Sequence, residues 1–585
     1  MLASALIIAI CTPFALALIL ACPPLRGLVW RAMPFAPAPA LALAVFTEAP
    51  LTVTEDWLIL GTVLGLEATA RLFLIAATLV WICAAVAARV WMRKDPQATG
   101  FGLCFLSAMA GNLGLFLVAD APSFYALFAL MSFAAYGLVL HNRDTASLGA
   151  ARLYIAFVVA GELALFAGFA IAVNEAGSLM LADLRATELS TTAVTLLLAG
   201  FGAKLGVMPL HVWLPPAHGA APVPASAVLS GAMIKAGLYG ITVAVPLGSA
   251  AYADAGVVVV TAGLVTIFAA LLLAARETSP KAVLGLSSVS QMGIIALGIG
   301  VSLSVPTAWS VVMPVLVFLA AHHALAKGAL FLGTGAFAAQ AGRIRAIVMT
   351  ATLVLPALIL AGLPGFSGAL GKEALKAALD AGPAGWVPWL TLALTLSGVV
   401  TTLIMARFLV QLWRARPAVP ASVSGDALIL PFAALAVGAV ALPALWPAIA
   451  GADARPITEA TPGKVWPILA GVTVAVAAVI DAHTRRIGWG AFLATLTAPI
   501  ERATARVTEA LARRRRAVAR RARALPVAVD GWISARRFGQ TGIAVLLVTV
   551  IVIETVERRI RPEPEPARVV PAVERPPPET DHAAP

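Results

Sequence analysis

Four lysines stand where lysine is costly: Lys204, Lys235, Lys327 and Lys372 each lie within or beside a long apolar stretch. The chain has eight lysines against 33 arginines, and six of the eight fall between 204 and 376. Desolvation lowers a lysine's affinity for its proton by several units, so a buried lysine can bind and release one, whereas arginine stays charged. The preference for lysine inside therefore points to proton exchange. The alternative for each is a stem that snorkels to an interface or pairs with a carboxylate. That reading weighs most for Lys372, which adjoins Glu373, and it is the better one for Lys281 and Lys376 at the edges of apolar segments.

His322 and His323 precede Lys327 by about one helical turn, and the i, i+4 spacing of His323 and Lys327 puts both on one helix face. Histidine near neutrality can relay protons between lysines through water. A metal is a poor alternative, because no further His, Cys or carboxylate is spaced to join them. His211 and His218 flank a proline-rich interruption, where they either carry protons or hydrogen-bond carbonyls that the broken helix frees. Glu162, in VVAGELALF, is a carboxylate inside an apolar segment and a candidate counter-charge to a lysine.

These residues need elements to hold them, and the backbone signals are two interrupted apolar segments. PLHVWLPPAHGAAPVP follows Lys204, and LAGLPGFSG precedes Lys372, so Pro209, Pro215 and Pro364 are read as helix breaks. Irregular backbone at membrane depth survives only where protein or water surrounds it. One such interruption in each half is the trace of an internal repeat with an ion route at the repeat interface.

Composition fits that setting. Of 585 residues, 61% are apolar and 12% charged, with mean hydropathy +0.94, which describes an all-α polytopic membrane protein. The net charge of +12 sits in short loops and in an arginine-rich run, a placement that suits a membrane surface and lipid rather than nucleic acid. Cys11, Cys22, Cys83 and Cys104 have no paired spacing, and neither a dinucleotide fingerprint nor a phosphate loop occurs. No cofactor, no metal and no redox chemistry of the chain's own are expected; nucleotide, flavin and electrons belong on partners.

Apolar windows predict about 14–16 spans, near 2–20, 28–46, 71–90, 101–119, 122–140, 152–173, 191–208 and 224–246, then 256–275, 283–303, 308–336, 347–380 (interrupted), 387–410, 428–448, 466–482 and 541–556. The first reads as a retained span, not a cleaved signal. Loops after odd-numbered spans are basic (Arg26, Arg31; Arg93, Lys94; Arg143; Arg276; Arg343, Arg345) and those after even-numbered spans acidic, which places the basic loops in the cytoplasm. Residues 501–524 are too arginine-dense to cross and are expected to lie on the cytoplasmic surface, while 560–585 are expected to be disordered.

The stretch LHVWLPPAHGAAPVPASAVLSGAMIKAGLYG (210–240) resembles a signature of the proton-conducting, antiporter-like membrane subunits of complex I, membrane-bound hydrogenases and multisubunit cation/proton antiporters. KAVLGLSSVSQMG (281–293), HHALAKGALFL (322–332) and LAGLPGFSGALGKEAL (360–375) resemble three further motifs in the same order, so the likeness covers about 60–410. It implies N-terminal helices at 1–95, two inverted five-helix repeats at 96–246 and 256–416, and C-terminal helices at 428–556. The implied function is a proton- or sodium-translocating subunit of an NADH-quinone oxidoreductase-like or hydrogenase-like complex in the inner cell membrane, with other membrane subunits and peripheral redox subunits as partners. A cation/proton antiporter subunit and a non-conducting structural subunit remain alternatives. The resemblance also marks a departure: FYALFALMSFAAYG places Ala129 where the family usually carries a channel glutamate, which puts the first half-channel in doubt. Glu162, one span further on, is the expected substitute facing Lys204.

Overall fold

The computed structural model describes residues 2–47, 50–55, 61–340, 342–416, 419–420, 423–450 and 462–484. The expected span at 541–556, the basic run at 501–524 and the tail lie outside them. α1 (Leu2–Ala21) is followed by α2 (Arg26–Ala32) and α3 (Ala38–Phe46), which with short 3-10 turns form one span-length rod from Pro23 to Phe46. Pro34 and Pro39 fall in the first turns of their pieces, where a missing N–H costs nothing, so the expected 28–46 helix is segmented rather than lost. A small antiparallel hairpin, β1 (Leu51–Glu55) and β2 (Thr62–Leu66), comes next and was not foreseen from the sequence.

The first half continues through α4 (Ala68–Trp91), α5 (Ala98–Gly114), α6 (Ala121–Leu140), α7 (Thr145–Ala176), the short α8 (Leu181–Ala186) and α9 (Thr191–Leu205). Then come α10 (Leu214–Ala220), α11 (Val223–Val228), a π turn at Leu229–Met233 and α12 (Lys235–Ala244). The second half has α13 (Ala253–Arg276), α14 (Pro280–Ser304), α15 (Trp309–Ala338), the pair α16 (Arg343–Ala361) and α17 (Ser367–Leu379), and α18 (Val387–Arg414). α19 (Asp426–Ala441), α20 (Trp446–Ala450) and α21 (Trp466–Thr484) close the described chain.

Twelve of the described helical segments are long and apolar enough to cross a membrane, with α9 and the apolar part of α21 as shorter ones, and the chain is a multi-pass membrane protein. Side-chain caps start several helices: Asp120 accepts from Ser123 N at 2.8 Å, Asp144 from Ser147 N at 2.7 Å and Ser190 from Ala193 N at 3.2 Å. Lipid offers no hydrophobic drive between helices, so small residues decide which backbones meet. A Cβ at Gly293 would lie 2.7 Å from Gly263 O, which brings α13 and α14 into direct backbone contact.

The arrangement is radial. α14, α15 and the α11–α12 rod are buried along their whole apolar windows, whereas α1 and α7 turn apolar side chains such as Leu163 and Phe166 outward. A helix apolar all round is buried, and the helices that carry Lys235, His322, His323 and Lys327 are those at the centre.

Candidate functional site

Lys204 stands in the last turn of α9, which Gly206 ends in the left-handed region at φ 77°. Its Nζ donates to Ser132 Oγ of α6 at 3.0 Å and sits 5.7 Å from the Phe128 ring centroid. Glycines set the approach of α7: a Cβ at Gly200 would lie 2.8 Å from Gly161 O, so α7 and α9 touch at the residue beside Glu162. Glu162, Lys204, Ser132 and Tyr154 line one cavity of about 20 Å³, room for one water. Glu162 interacts with both Lys204 and Ser132, and its Oε2 has no protein partner. Glu162 therefore shares this cavity with Lys204, and Ser132, about one turn beyond Ala129, interacts with both. Tyr154 donates to Ser132 O at 2.9 Å and packs edge-on against Trp213 at 5.1 Å, closing the cavity with aromatic rings.

This geometry sets a reciprocal test. Glu162→Gln is expected to lower ion flux several-fold, and Ala129→Glu in that background to restore part of it, because each change moves one carboxylate on or off the same lysine. Initial rates of gradient formation in membrane vesicles check it, and an unchanged rate in Glu162→Gln would remove the carboxylate from the route.

The second group is hydrogen-bonded in sequence. Lys327 Nζ donates to Leu284 O at 2.8 Å, and Ser288 Oγ donates to that same carbonyl at 3.3 Å while meeting Ser230 Oγ at 2.8 Å. Ser230 O accepts from Lys235 Nζ at 2.5 Å, and Lys235 Nζ meets His323 Nδ1 at 2.6 Å. The π turn makes this possible: Ser230 lies inside it and Lys235 just after it, so a carbonyl left outside the regular ladder turns to the ammonium. All of these side chains are buried, and among the described residues no carboxylate pairs with Lys235 or Lys327. A lysine and an imidazole nitrogen in contact, with a further His323 nitrogen lacking a protein partner, can exchange one proton between them.

His322 points the other way. Its Nδ1 meets Ser367 Oγ at 2.9 Å at the start of α17, and Ser367 donates to Ala439 O at 2.9 Å, so His322 is the donor to the serine. Lys372 Nζ donates to Ala361 O at 3.0 Å, the last residue of α16, across the break. Beyond it a cavity of about 920 Å³ runs between α15, α17, α18 and α21, with Glu373 holding Lys376 at 2.8 Å and Lys464 at 3.1 Å.

Both interruptions are present, with one correction. The first break spans Gly206–Trp213 and contains Pro209 and a buried His211, but Pro215 sits in the first turn of α10 and starts a helix instead of breaking one. Pro364 lies in the second break, between α16 and α17. His218 is buried on α10, stacked on Phe331 at 4.7 Å between centroids, with neither ring nitrogen bonded to protein. Lys281 is also bound inward, its Nζ donating to Ala221 O at 2.5 Å, although its position at a span edge had argued for a snorkelling stem. Sequence reasoning missed Ser132, Ser230, Ser288 and Ser367. In small-residue spans a serine reads as packing, and only its partners give it a role.

Residues 118–375 match the family described as NADH:quinone oxidoreductase/Mrp antiporter, transmembrane. Hydrogenase-4 component B of Escherichia coli (strain K12) is 36% identical over 284 residues, 46% of this chain and 42% of that protein. Na(+)/H(+) antiporter subunit A1 of Staphylococcus haemolyticus (strain JCSC1435) is 33% identical over 310 residues, 48% of this chain and 38% of that one. The chain thus spans about two fifths of the length of these relatives. Among solved structures, a chain of the Mrp complex from Dietzia sp. DQ12-45-1b superposes with a TM-score of 0.64 at 21% identity, covering 80% of this chain and 99% of that chain. A chain of the membrane-bound sulfane sulfur reductase, an archaeal respiratory membrane complex, gives 0.63 at 23% identity over 75% and 76%, so both share the fold. Through residues 118–375, with their interior lysines and broken helices, this chain is similar to the NADH:quinone oxidoreductase/Mrp antiporter transmembrane family.

Proposed function

We propose that the chain is an ion-translocating subunit of a multisubunit membrane complex of the NADH-quinone oxidoreductase-like or hydrogenase-like kind, and that the ion is the proton. The observation that carries this reading is the run Lys327–Leu284 O–Ser288–Ser230–Lys235–His323, proton-bearing side chains joined directly or through the Leu284 and Ser230 carbonyls in the buried centre of the protein. Lys204 with Glu162, Lys372 with His322, and the buried His211 and His218 extend it toward either break. Segments 96–246 and 256–416 act as the two half-channels. Moving one charge against 100 mV requires about 2.3 kcal/mol, which a partner's reaction supplies. Such partners are other membrane subunits, peripheral redox subunits and the lipid around them, in the inner cell membrane.

A cation/proton antiporter subunit is the second reading, favoured by the 33% identity to the antiporter subunit A1. Inverted membrane vesicles from cells with and without the chain separate the two. Gradient formation that needs an electron donor and is lost with the chain supports the first; sodium-driven proton movement without a donor supports the second; neither would leave a structural subunit. The purified chain is expected to lack flavin or iron–sulfur absorbance, since its sequence has neither a cysteine set with cluster spacing nor a dinucleotide fingerprint. Stoichiometric bands would overturn this.

A further inference from the structure

The buried lysine cluster must exchange protons with an aqueous face, and the face that carries the basic loops offers one connected line of groups. The loop between α6 and α7 lies over the turn between α10 and α11: Asn142 Nδ2 donates to Ala220 O at 3.1 Å, and the next residue, Ala221, accepts from Lys281. Asp144 is exposed in that loop, and its charge and that of Lys281 act on each other. The Ser147 N–H bonded to Asp144 keeps its carboxyl below the usual carboxylate range, with Lys281 adding to the effect. His141, at the end of α6, is already paired with Asp95 of the loop between α4 and α5, at 3.0 Å.

Lys281 is oddly placed for a structural charge. It occupies the first turn of α14, where the helix dipole opposes a cation, and its ammonium is turned toward the carbonyl of Ala221. One turn along the same face stands Gly285, where a Cβ would lie 3.1 Å from His218 Cδ2. The missing side chain lets the imidazole lie against α14. His218 is 1% exposed, both its nitrogens lack protein partners, and the charges of Lys327, Lys281 and Lys235 all act on it. A buried polar ring of this kind is hydrogen-bonded by water. Leu284, whose carbonyl holds Lys327, and Ser288, which continues to Ser230, follow on the same face of α14. From 281 to 288 the helix rises only about 10 Å, so one stripe of α14 leads from the surface loop to the cluster.

We propose that Lys281 is the group through which protons pass between the basic-loop face and the buried cluster, with Asp144 as its surface partner and His218 as the relay to Lys327. This rests on the ion-translocating reading above. Lys281 and Asp144 act here as gatekeepers at the mouth of the route, and the fold does not need their titration.

The test uses the full-length chain in its host membranes, as inverted vesicles whose basic-loop face meets the bath, with the initial rate of acidification followed by a quenched amine dye. Lys281→Arg keeps the cation and its hydrogen bond but does not release a proton at working pH. Asp144→Ser keeps the helix cap and removes the charge. Lys281→Arg is expected to lower the rate about tenfold, and Asp144→Ser to raise the bath proton concentration needed for half-maximal rate about threefold; a merely structural defect would scale the maximal rate without moving that midpoint. Lys327→Met serves as the control. Wild-type rates and midpoints in both Lys281→Arg and Asp144→Ser, with Lys327→Met inactive, would overturn this uptake route and leave the ion-translocating reading standing. Wild-type rates in all three would overturn both. Should Lys281→Arg fail to accumulate, the Asp144→Ser midpoint decides alone, and an unmoved midpoint overturns the proposal.

Discussion

Lys327→Met is expected to lower ion flux by about tenfold or more while leaving the amount of chain in the membrane close to wild type. Lys327 is fully buried on α15 and its Nζ has one protein acceptor, Leu284 O, with no carboxylate among the described residues to neutralise it. A buried, unpaired charge is a cost to folding, so an apolar side chain of similar length is tolerated or stabilising. Flux changes in the other direction. Methionine removes a proton site from a run in which Ser288 and Lys235 come next, and each 1.4 kcal/mol or so added to the barrier costs about tenfold in rate. Vesicle acidification normalised to the immunoblotted chain measures both halves. Normal flux would show that the lysine is not on the route, and loss of the chain would show that it holds the core together.

Gly368→Ala is expected to have the opposite signature, a chain that accumulates poorly and unfolds at lower temperature. A Cβ there would lie 1.9 Å from Ile359 O and 3.1 Å from His322 Cε1. The first contact is with backbone at the end of α16, which has no rotamer to yield, so α16 and α17 must part. Overpacking of this kind costs about 1–3 kcal/mol and more where backbone is involved. Parting the helices also draws Ser367 from His322 and Lys372 from Ala361 O, so residual protein should translocate slowly. Gly385→Ala is the control, since a Cβ there meets nothing within 4 Å. Equal thermal midpoints for the two variants in detergent would mean that the second break is looser than its geometry indicates.

Much of the candidate site was legible because lysine in an apolar span has few innocent explanations. Lys204, Lys235, Lys327, Lys372, the paired histidines and Glu162 are all buried, and Glu162 lines the same cavity as Lys204. Less legible was anything that depended on which backbone atoms are free. Ser230 and Lys235 are five apart, a spacing that faces nothing in an α-helix, and they meet only because a π turn intervenes. Lys281 was assigned to a membrane edge, yet it bonds to a turn sixty residues away in sequence. Pro215 looked like a break and is the start of a helix, because proline serves both roles and only the chain around it decides.

By itself the sequence determined the environment and the candidate residues: a membrane chain of about 14–16 expected spans, of which twelve stand among the described residues, two proline-interrupted segments, and lysine kept where arginine would be inert, all of which follow from local composition and the cost of burying charge. The tertiary structure decided the connections. Which serine touches which lysine, whether Glu162 reaches Lys204, and how His218 lies against α14 depend on glycines such as Gly161, Gly200 and Gly285 that let two helices approach. A missing Cβ acts on whatever stands opposite it, and what stands opposite is fixed only when the whole bundle has packed.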